Sequence, residues 1–315
     1  MNRSKIVVLG TGGTIAGTAS SAADNVGYTA AQLGVAELLA RVVPPGGGAL
    51  EWVTEQVAQL DSKDMDVTTW CALLRRCAYW LAQDDVCGLV VTHGTDTLEE
   101  TAFLLQAVLA PAKPVVLASA MRPATALSAD GPRNLLDACS VAAEPGAQGV
   151  LVVCAGRVHG AADVQKVHSA RLDAFDSGDA GALAYVEADG LRRVREWPLA
   201  GNGMGLAAFE ALLKAESWPR VEIVLSHSGA GGALVDGLVK TGCPGIVVAG
   251  TGNGTVHRAL QAALCRAQAA GVRVLRSTRC VDGRALALPG DELPATPLPP
   301  LKARIALMLD LMAAG

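Results

Sequence analysis

The sequence predicts an α/β protein in which a larger N-terminal domain, with a mostly parallel sheet flanked by helices, is joined by a linker to a smaller C-terminal α/β domain. Short apolar runs alternate with longer helical patterns, and this alternation is typical of parallel sheets. The length of 315 residues exceeds what one hydrophobic core usually serves. Proline and glycine cluster between residues 197 and 219, which predicts a linker there and domains over 1–196 and 220–315.

Several short apolar runs have the length and composition of buried strands. They are residues 5–9, 88–92, 114–119, 149–154, 221–225, 245–249 and 272–276. Residues 51–60 instead alternate between apolar and polar types, which indicates a half-buried strand. The 70–83 segment places its leucines on one helical face and predicts a helix that covers the sheet. A proline-rich stretch, 294–300, predicts an extended lead-in to the last helix.

Composition and charge exclude several classes of protein. Apolar residues make up 51% of the chain and charged residues 18%, which is typical of an ordered globular protein. The net charge of -4 provides no basic field, so we expect no nucleic-acid partner. The densest basic cluster, Arg192, Arg193 and Arg195, indicates a solvated edge strand or turn. No run of about 18 uncharged apolar residues occurs, so we expect no membrane association.

Cysteine and histidine usage bears on location and on cofactors. The eight cysteines are scattered singly, several of them inside apolar runs, which predicts a reducing compartment. The first residues run directly into a strand and leave no separate apolar segment for a secretory signal, so we expect a cytoplasmic protein. The histidines show no metal-ligand spacing, and we expect neither a metal nor a cofactor.

A threonine- and glycine-rich string, TGGTI at 11–15, follows the first apolar run directly. Its glycines do not have the G-x-G-x-x-G spacing, which disfavours a nucleotide site. Residues 15–27 are mostly small and are expected to move as a lid. Thr14 then provides a hydroxyl at the hinge, with the Tyr28 phenol as a proton relay. The alternative is that Thr14 satisfies a turn and Tyr28 packs.

A second string, HGTDT at 93–97, follows another apolar run. Thr97 and Glu100 fit a capping box that starts a helix, which places Thr95 and Asp96 just before a helix N-terminus. Free backbone N–H groups there can stabilise an oxyanion, and the Asp96 carboxylate can bind a substrate ammonium group. The alternative is that Asp96 only caps the helix.

These strings resemble the two signatures of the bacterial-type L-asparaginase and glutaminase-asparaginase family, amidases that use threonine nucleophiles. The resemblance covers nearly the whole chain. It is carried as well by Asp61 and Ser62 and by MRP at 121–123, SADGP at 128–132 and GTGNG at 250–254.

The resemblance implies hydrolysis of the side-chain amide of L-asparagine to L-aspartate and ammonia through an acyl-enzyme, without a cofactor. It implies Thr14 as the nucleophile and Tyr28 as its partner, with Thr95 and Lys166 positioning or activating a water or hydroxyl. Burial would let Lys166 accept a proton from Thr95. From the residues alone, a surface salt bridge is the alternative for this lysine. The residues implied to bind the amino acid are Asp61, Ser62, Thr95, Asp96, Ala120 and Asn253.

The chain departs from the family pattern at a few positions. Lys63 stands where many members carry Gln or Glu, and we expect it to point away because a cation would repel the substrate ammonium. Thr255 replaces an Asn, and the segment after Arg279 is too short to align a Glu that relatives lend to a neighbouring subunit.

The resemblance also implies a homotetramer or dimer with sites near the subunit interface, where Asn253 and Thr255 would act. Two alternatives for function stay open. One is an amidase with dual specificity or a preference for L-glutamine. The other is a catalytically weak amino-acid-binding protein, or an amidase module that depends on a partner chain.

Overall fold

The computed structural model confirms the predicted α/β class. It describes residues 4–42, 50–201, 203–215 and 217–314. The chain divides into two compact units, Met1–Gly205 and Leu206–Gly315. The division falls within the segment predicted as a linker, 197–219, whose residues 202 and 216 lie outside the described ones. Residues 1–3, on which the expectation about a secretory signal depends, also lie outside them.

The predicted apolar runs all form strands, and the helices fall between them. The strands are β1 (Ser4–Gly12), β2 (Thr18–Ala19), β3 (Tyr28–Thr29), β4 (Leu50–Leu60), β5 (Val86–Thr92), β6 (Val115–Ala118), β7 (Val150–Cys154), β8 (Arg157–Gly160), β9 (Gln165–Lys166), β10 (Phe175–Asp176), β11 (Ala184–Glu187), β12 (Gly190–Arg193), β13 (Val221–Leu225), β14 (Gly245–Gly250) and β15 (Arg273–Thr278). The helices are α1 (Val35–Ala40), α2 (Val67–Leu81), α3 (Leu98–Leu109), α4 (Gly131–Ala142), α5 (Leu206–Lys214), α6 (Ala233–Lys240), α7 (Arg258–Ala269) and α8 (Pro300–Ala314).

The first unit is built on an eight-stranded sheet with the order β12-β11-β8-β7-β6-β5-β1-β4. The strands from β7 to β4 are parallel, whereas β8, β11 and β12 add to the β7 edge as antiparallel neighbours. Arg192 and Arg193 lie exposed on the edge strand β12, as their charge pattern predicts.

Helices cover both faces of this sheet. Ile6 and Val8 of β1 belong to the same buried cluster as Leu135 of α4. The predicted helix over 70–83 is α2, whose leucines at 73 and 74 are fully buried. Each fully buried leucine contributes about 1.5–3 kcal/mol relative to an exposed one.

The carboxyl ends of neighbouring parallel strands meet at one edge of the sheet. β1 pairs with β5 in a register that sets Gly10 beside Thr92, and with β4 so that Gly12 lies beside Leu60. The loops that follow these three strands therefore lie together, which is where α/β proteins bind ligands.

The second unit is a smaller α/β unit. Its sheet has three parallel strands in the order β13-β14-β15. Ile246 and Val248 of β14 share a buried cluster with Leu260 and Leu264 of α7. Across the described part of the chain, no helix combines the length and apolar character needed to cross a membrane.

Candidate active site

Two glycines bring the loop after β1 and the loop after β5 into contact. Gly13 has φ 81°, and a Cβ built there would lie 2.3 Å from the Cα of Gly94. A Cβ on Gly94 would in turn lie 2.4 Å from the Ser62 hydroxyl. Only glycine permits such an approach of backbone to backbone. The loops that begin with Gly13, Ser62 and Gly94 therefore form one cluster.

Thr14 and Tyr28 are in hydrogen-bond contact at the centre of this cluster. Thr14 starts a short 3-10 helix, Thr14–Ala16, and is 7% exposed. Tyr28 is half-buried on β3, which pairs with β2 in a short hairpin. The Tyr28 hydroxyl lies 2.7 Å from the Thr14 hydroxyl oxygen. The segment that the sequence predicts as a lid thus places its phenol on the hinge threonine.

Thr95, Asp96 and Lys166 form a second polar group in the same unit. The Lys166 ammonium donates to the Thr95 hydroxyl at 2.8 Å and to an Asp96 carboxylate oxygen at 2.6 Å. Thr95 is buried, the Lys166 side chain is 20% exposed and that of Asp96 is 53% exposed. The lysine side chain therefore points toward Thr95 and Asp96. Its contact with Asp96 is an ion pair, as the alternative from the residues alone predicts, although the pair is not fully exposed.

The capping box predicted at Thr97 is wrong, although α3 begins where it predicts. The Thr97 hydroxyl donates to the Ser62 backbone carbonyl at 2.8 Å and makes no capping hydrogen bond to the helix. The Asp96 carboxylate accepts from Lys166, so Asp96 does not serve only as a cap. A backbone carbonyl from the neighbouring loop competes for the threonine hydroxyl, and a tertiary contact of this kind has no local sequence pattern.

Ser62 lies in the turn that follows β4. It is 2% exposed, and its hydroxyl accepts the Asp96 backbone N–H at 3.2 Å. Asp61 caps this turn and pairs with the exposed Lys63 ammonium at 2.6 Å. A second carboxylate, Asp64, lies 3.6 Å from the same ammonium. Lys63 is therefore directed at the acids of its own turn, which balance its charge.

Ala120 follows β6 and lies beside the same cluster of loops. It is buried, and Gly131 at the start of α4 lies against it and against Ile15. A Cβ built on Gly131 would lie 3.4 Å from the Ala120 Cβ and 2.9 Å from the side chain of Ile15, the residue after Thr14.

His93 is fully buried beneath the second string. Burial lowers its pKa to about 4, and a backbone contact with Gly94 opposes this shift in part. Its Nδ1 lies 2.7 Å from the Gly94 carbonyl oxygen. The neutral ring therefore holds the loop that carries Thr95.

Asn253 lies in the second unit, on the loop after β14. Its side-chain oxygen accepts the Leu286 N–H at 2.7 Å, and its backbone carbonyl accepts from the buried Arg276 guanidinium. The Thr255 hydroxyl donates to the Thr251 carbonyl at 2.9 Å and closes the same loop. Within the second unit, both residues hold the backbone of their loop.

Glu99 is a site residue that the sequence analysis missed. It is buried in the first turn of α3, and its carboxylate accepts the backbone N–H of Lys166 at 2.6 Å. A glutamate in a first helical turn usually indicates only a favourable dipole interaction. The partner is 67 residues away, so no pattern links the two.

The first unit therefore combines a buried hydroxyl beside a phenol with an ammonium between a second hydroxyl and a carboxylate. A hydroxyl beside a phenol, an ammonium and a carboxylate are the types of group that nucleophilic and acid–base catalysis can use. No group of histidine, cysteine or acidic side chains among the described residues could hold a metal ion.

Comparisons with known proteins match most of the chain in two parts. A family model described as "Asparaginase, N-terminal" matches residues 5–198. A second, described as "Glutaminase/Asparaginase C-terminal domain", matches residues 220–314.

Individual proteins match over nearly the full length. L-asparaginase 2 of Bacillus subtilis is 37% identical over 97% of this chain and 82% of its own. Glutaminase-asparaginase of Pseudomonas fluorescens is 35% identical over 97% of this chain and 86% of its own. The crystal structure of a probable cytoplasmic L-asparaginase from Campylobacter jejuni superposes with a TM-score of 0.90 at 36% identity. It covers 98% of this chain and 95% of that one.

Proposed function

Because this chain belongs to the asparaginase family, we propose that it hydrolyses the side-chain amide of L-asparagine to L-aspartate and ammonia. The observation that carries this proposal is the contact of 2.7 Å between the Thr14 and Tyr28 hydroxyls, in the same unit as the Lys166 ammonium and its two partners. A buried aliphatic hydroxyl is a weak nucleophile alone, and an adjacent relay group is what activates it.

In the first half of the reaction, the Thr14 oxygen attacks the amide carbon. Its proton passes to the Tyr28 oxygen while the phenol proton passes to the leaving nitrogen, which departs as ammonia. The product is an ester between Thr14 and the substrate acyl group. The contact between Thr14 and Tyr28 supports this direct relay.

In the second half, water attacks the ester carbonyl. The Thr95 hydroxyl, which accepts from the Lys166 ammonium at 2.8 Å, is placed to hold that water. The proton of the attacking water returns to the Thr14 oxygen, and L-aspartate leaves. Backbone N–H groups before α3 stabilise the oxyanion that forms in each half.

Substrate binding uses the groups around this centre. We assign the Asp96 carboxylate to the α-ammonium group and the buried Ser62 hydroxyl to the α-carboxylate. Asp61 shapes the Ser62 turn, and Ala120 leaves room beside it. Asn253 is proposed to act at a site across a subunit interface.

The experiment that tests this function is steady-state ammonia release with L-asparagine and with L-glutamine, using wild type, Thr14→Ala and Thr14→Ser. Turnover of L-asparagine is expected in wild type. Loss of the nucleophile in Thr14→Ala is expected to lower kcat about 10⁴-fold or more. Thr14→Ser is the matched control, because it keeps the hydroxyl and should keep measurable turnover.

Other outcomes favour the alternatives. Equal or faster turnover of L-glutamine would support dual specificity, as the name of the Pseudomonas fluorescens relative indicates for that protein. Calorimetric binding of L-asparagine without ammonia release would support an amino-acid-binding protein or a module that needs a partner chain. Full activity of Thr14→Ala would contradict the nucleophile assignment.

We also propose a homotetramer, or a dimer, that works in the cytoplasm with sites near the subunit interface. None of the eight cysteines is paired, which suits a reducing compartment. Sedimentation velocity of the purified protein measures the assembly, and cell fractionation measures the location.

A further inference from the structure

Glu99 connects the helix after the second string to the strand that carries Lys166. It is the second residue of α3 and is 8% exposed. Its carboxylate accepts the Lys166 backbone N–H at 2.6 Å. A hydrogen bond to a buried carboxylate is stronger than one to a neutral acceptor.

The strand that carries Lys166 is short. β9 consists of Gln165 and Lys166, and its ladder partner is the equally short β10. Lys166 lies opposite Phe175 in that ladder. The carboxylate of Glu99 therefore ties a short strand to a helix of twelve residues.

Both ends of Lys166 contact one short segment of the chain. The Glu99 carboxylate accepts the backbone N–H, and Thr95 and Asp96 accept from the ammonium. Thr95 and Asp96 precede Glu99 by four and three residues. The distance between these contacts is set by the length of the lysine side chain. A shift of the Lys166 backbone would move the ammonium away from the hydroxyl and the carboxylate together.

We propose that Glu99 is a positioning residue for hydrolysis: its carboxylate holds the Lys166 backbone so that the ammonium reaches Thr95 and Asp96. This inference rests on the function proposed for Lys166 above. Glu99 acts through that lysine and has no contact with substrate. A misplacement of about 1 Å in such a group can cost about 100-fold in rate.

Two substitutions separate the reach of the side chain from its charge. Glu99→Gln keeps the length and an acceptor oxygen and removes the charge, so kcat should fall less than about 10-fold. Glu99→Asp keeps the charge and withdraws the carboxylate by one methylene, so kcat should fall about 10- to 100-fold. A Glu99→Asp variant as active as Glu99→Gln would overturn the proposal.

Glu55→Gln is the matched control. Glu55 is a partly buried glutamate on β4 that pairs with Arg76 and accepts from Trp80. Its substitution should lower the thermal midpoint and leave kcat unchanged. Midpoints measured for all variants by circular dichroism separate a loss of folded protein from a loss of rate.

A double-mutant cycle with Lys166→Ala tests whether Glu99 acts through the lysine. Once Lys166 is removed, Glu99→Asp should cause no further loss of kcat, measured with concentrated enzyme. An additional loss equal to that in the wild-type background would contradict the proposal.

The same cycle distinguishes this inference from the proposed function. Full activity of Lys166→Ala would remove the catalytic role assigned to the lysine, and the role of Glu99 with it. An inactive Lys166→Ala beside a fully active Glu99→Asp would contradict the role of Glu99 alone.

Discussion

At the scale of single residues, the partner of each buried threonine hydroxyl indicates its role. Thr11 is buried, and its hydroxyl donates to a backbone carbonyl of β5 at 2.8 Å, as structural threonines commonly do. Thr14 and Thr95 instead contact the side chains of Tyr28 and Lys166, groups that can exchange or hold a proton. The same residue type thus braces the sheet at one position and contacts side chains able to exchange or hold a proton at two others.

The contact between Thr14 and Tyr28 gives the first prediction. Tyr28→Phe removes the relay oxygen and keeps the ring, so kcat for L-asparagine should fall about 10²- to 10⁴-fold while KM changes little. Ammonia release measures both constants. Tyr79→Phe, at an exposed tyrosine of α2, is the matched control and should leave both unchanged. A Tyr28→Phe enzyme with the kcat of wild type would exclude the relay.

Part of the site could be predicted from the sequence, because its residues sit in short strings directly after buried strands. Thr14, Thr95 and Asp96 belong to such strings, and the structure brings their two loops together. Glu99 could not be predicted, since its partner is remote in sequence. The hydrogen bond from the Thr97 hydroxyl to the Ser62 carbonyl could not be predicted either, because these two residues are also remote in sequence.

At the scale of elements, the site depends on how closely two strand ends approach. Gly13 and Gly94 form a contact without side chains between the loops after β1 and β5. The parallel register of these strands fixes the contact, because a slip would move both loops. Glycine at each position is therefore a requirement of packing as much as of backbone conformation.

A matched pair of glycines tests that requirement. Gly13→Ala should destabilise the protein by about 2–3 kcal/mol beyond Gly146→Ala and abolish ammonia release. Gly146 has φ 79° and Gly13 has φ 81°, but nothing lies within 4 Å of a Cβ at 146. The two variants share the strain of a positive φ, and Gly13→Ala adds the clash with Gly94 and a ψ of -173° that only glycine adopts readily. Equal thermal midpoints and equal activities would show that the contact is not needed.

The parallel strands could be predicted because each is a buried apolar run between helices. The strands β8, β9, β10, β11 and β12 could not, since each has two to four residues and most of them are partly exposed. Their pairing is antiparallel and comes from tertiary contacts that leave no periodicity. This explains why the strand that carries Lys166 is not evident in the sequence.

At the scale of the whole molecule, buried histidines make stability depend on pH. Burial lowers the pKa of both His93 and His159 to about 4. Between pH 6.5 and 4 the unfolded chain protonates these rings while the folded chain keeps them neutral, so stability falls as the pH falls. Burial raises the pKa of Asp137, and this shift has the opposite effect, because it makes stability rise as the pH falls.

His159 allows this dependence to be measured outside the site. Its Nδ1 lies 2.9 Å from the Ser177 hydroxyl, a contact that an asparagine amide can replace. His159→Asn should reduce the loss of unfolding free energy between pH 7 and pH 5 by about 2 kcal/mol, as urea unfolding would measure. His227→Asn, at an exposed histidine, controls for the substitution itself. An unchanged pH dependence in His159→Asn would contradict the assignment.

The central position of β1 affects biosynthesis. This strand emerges first, yet it pairs with β4 and β5, so its second neighbour is complete only when residue 92 has left the ribosome. At about 5–20 residues per second, one edge of this apolar strand stays unpaired for several seconds. During that time it can bind chaperones or aggregate, because its surface is the surface of the future core. The loops after β1 and β5 can come together only after this wait, and Lys166 can join them only when its own strand has been made.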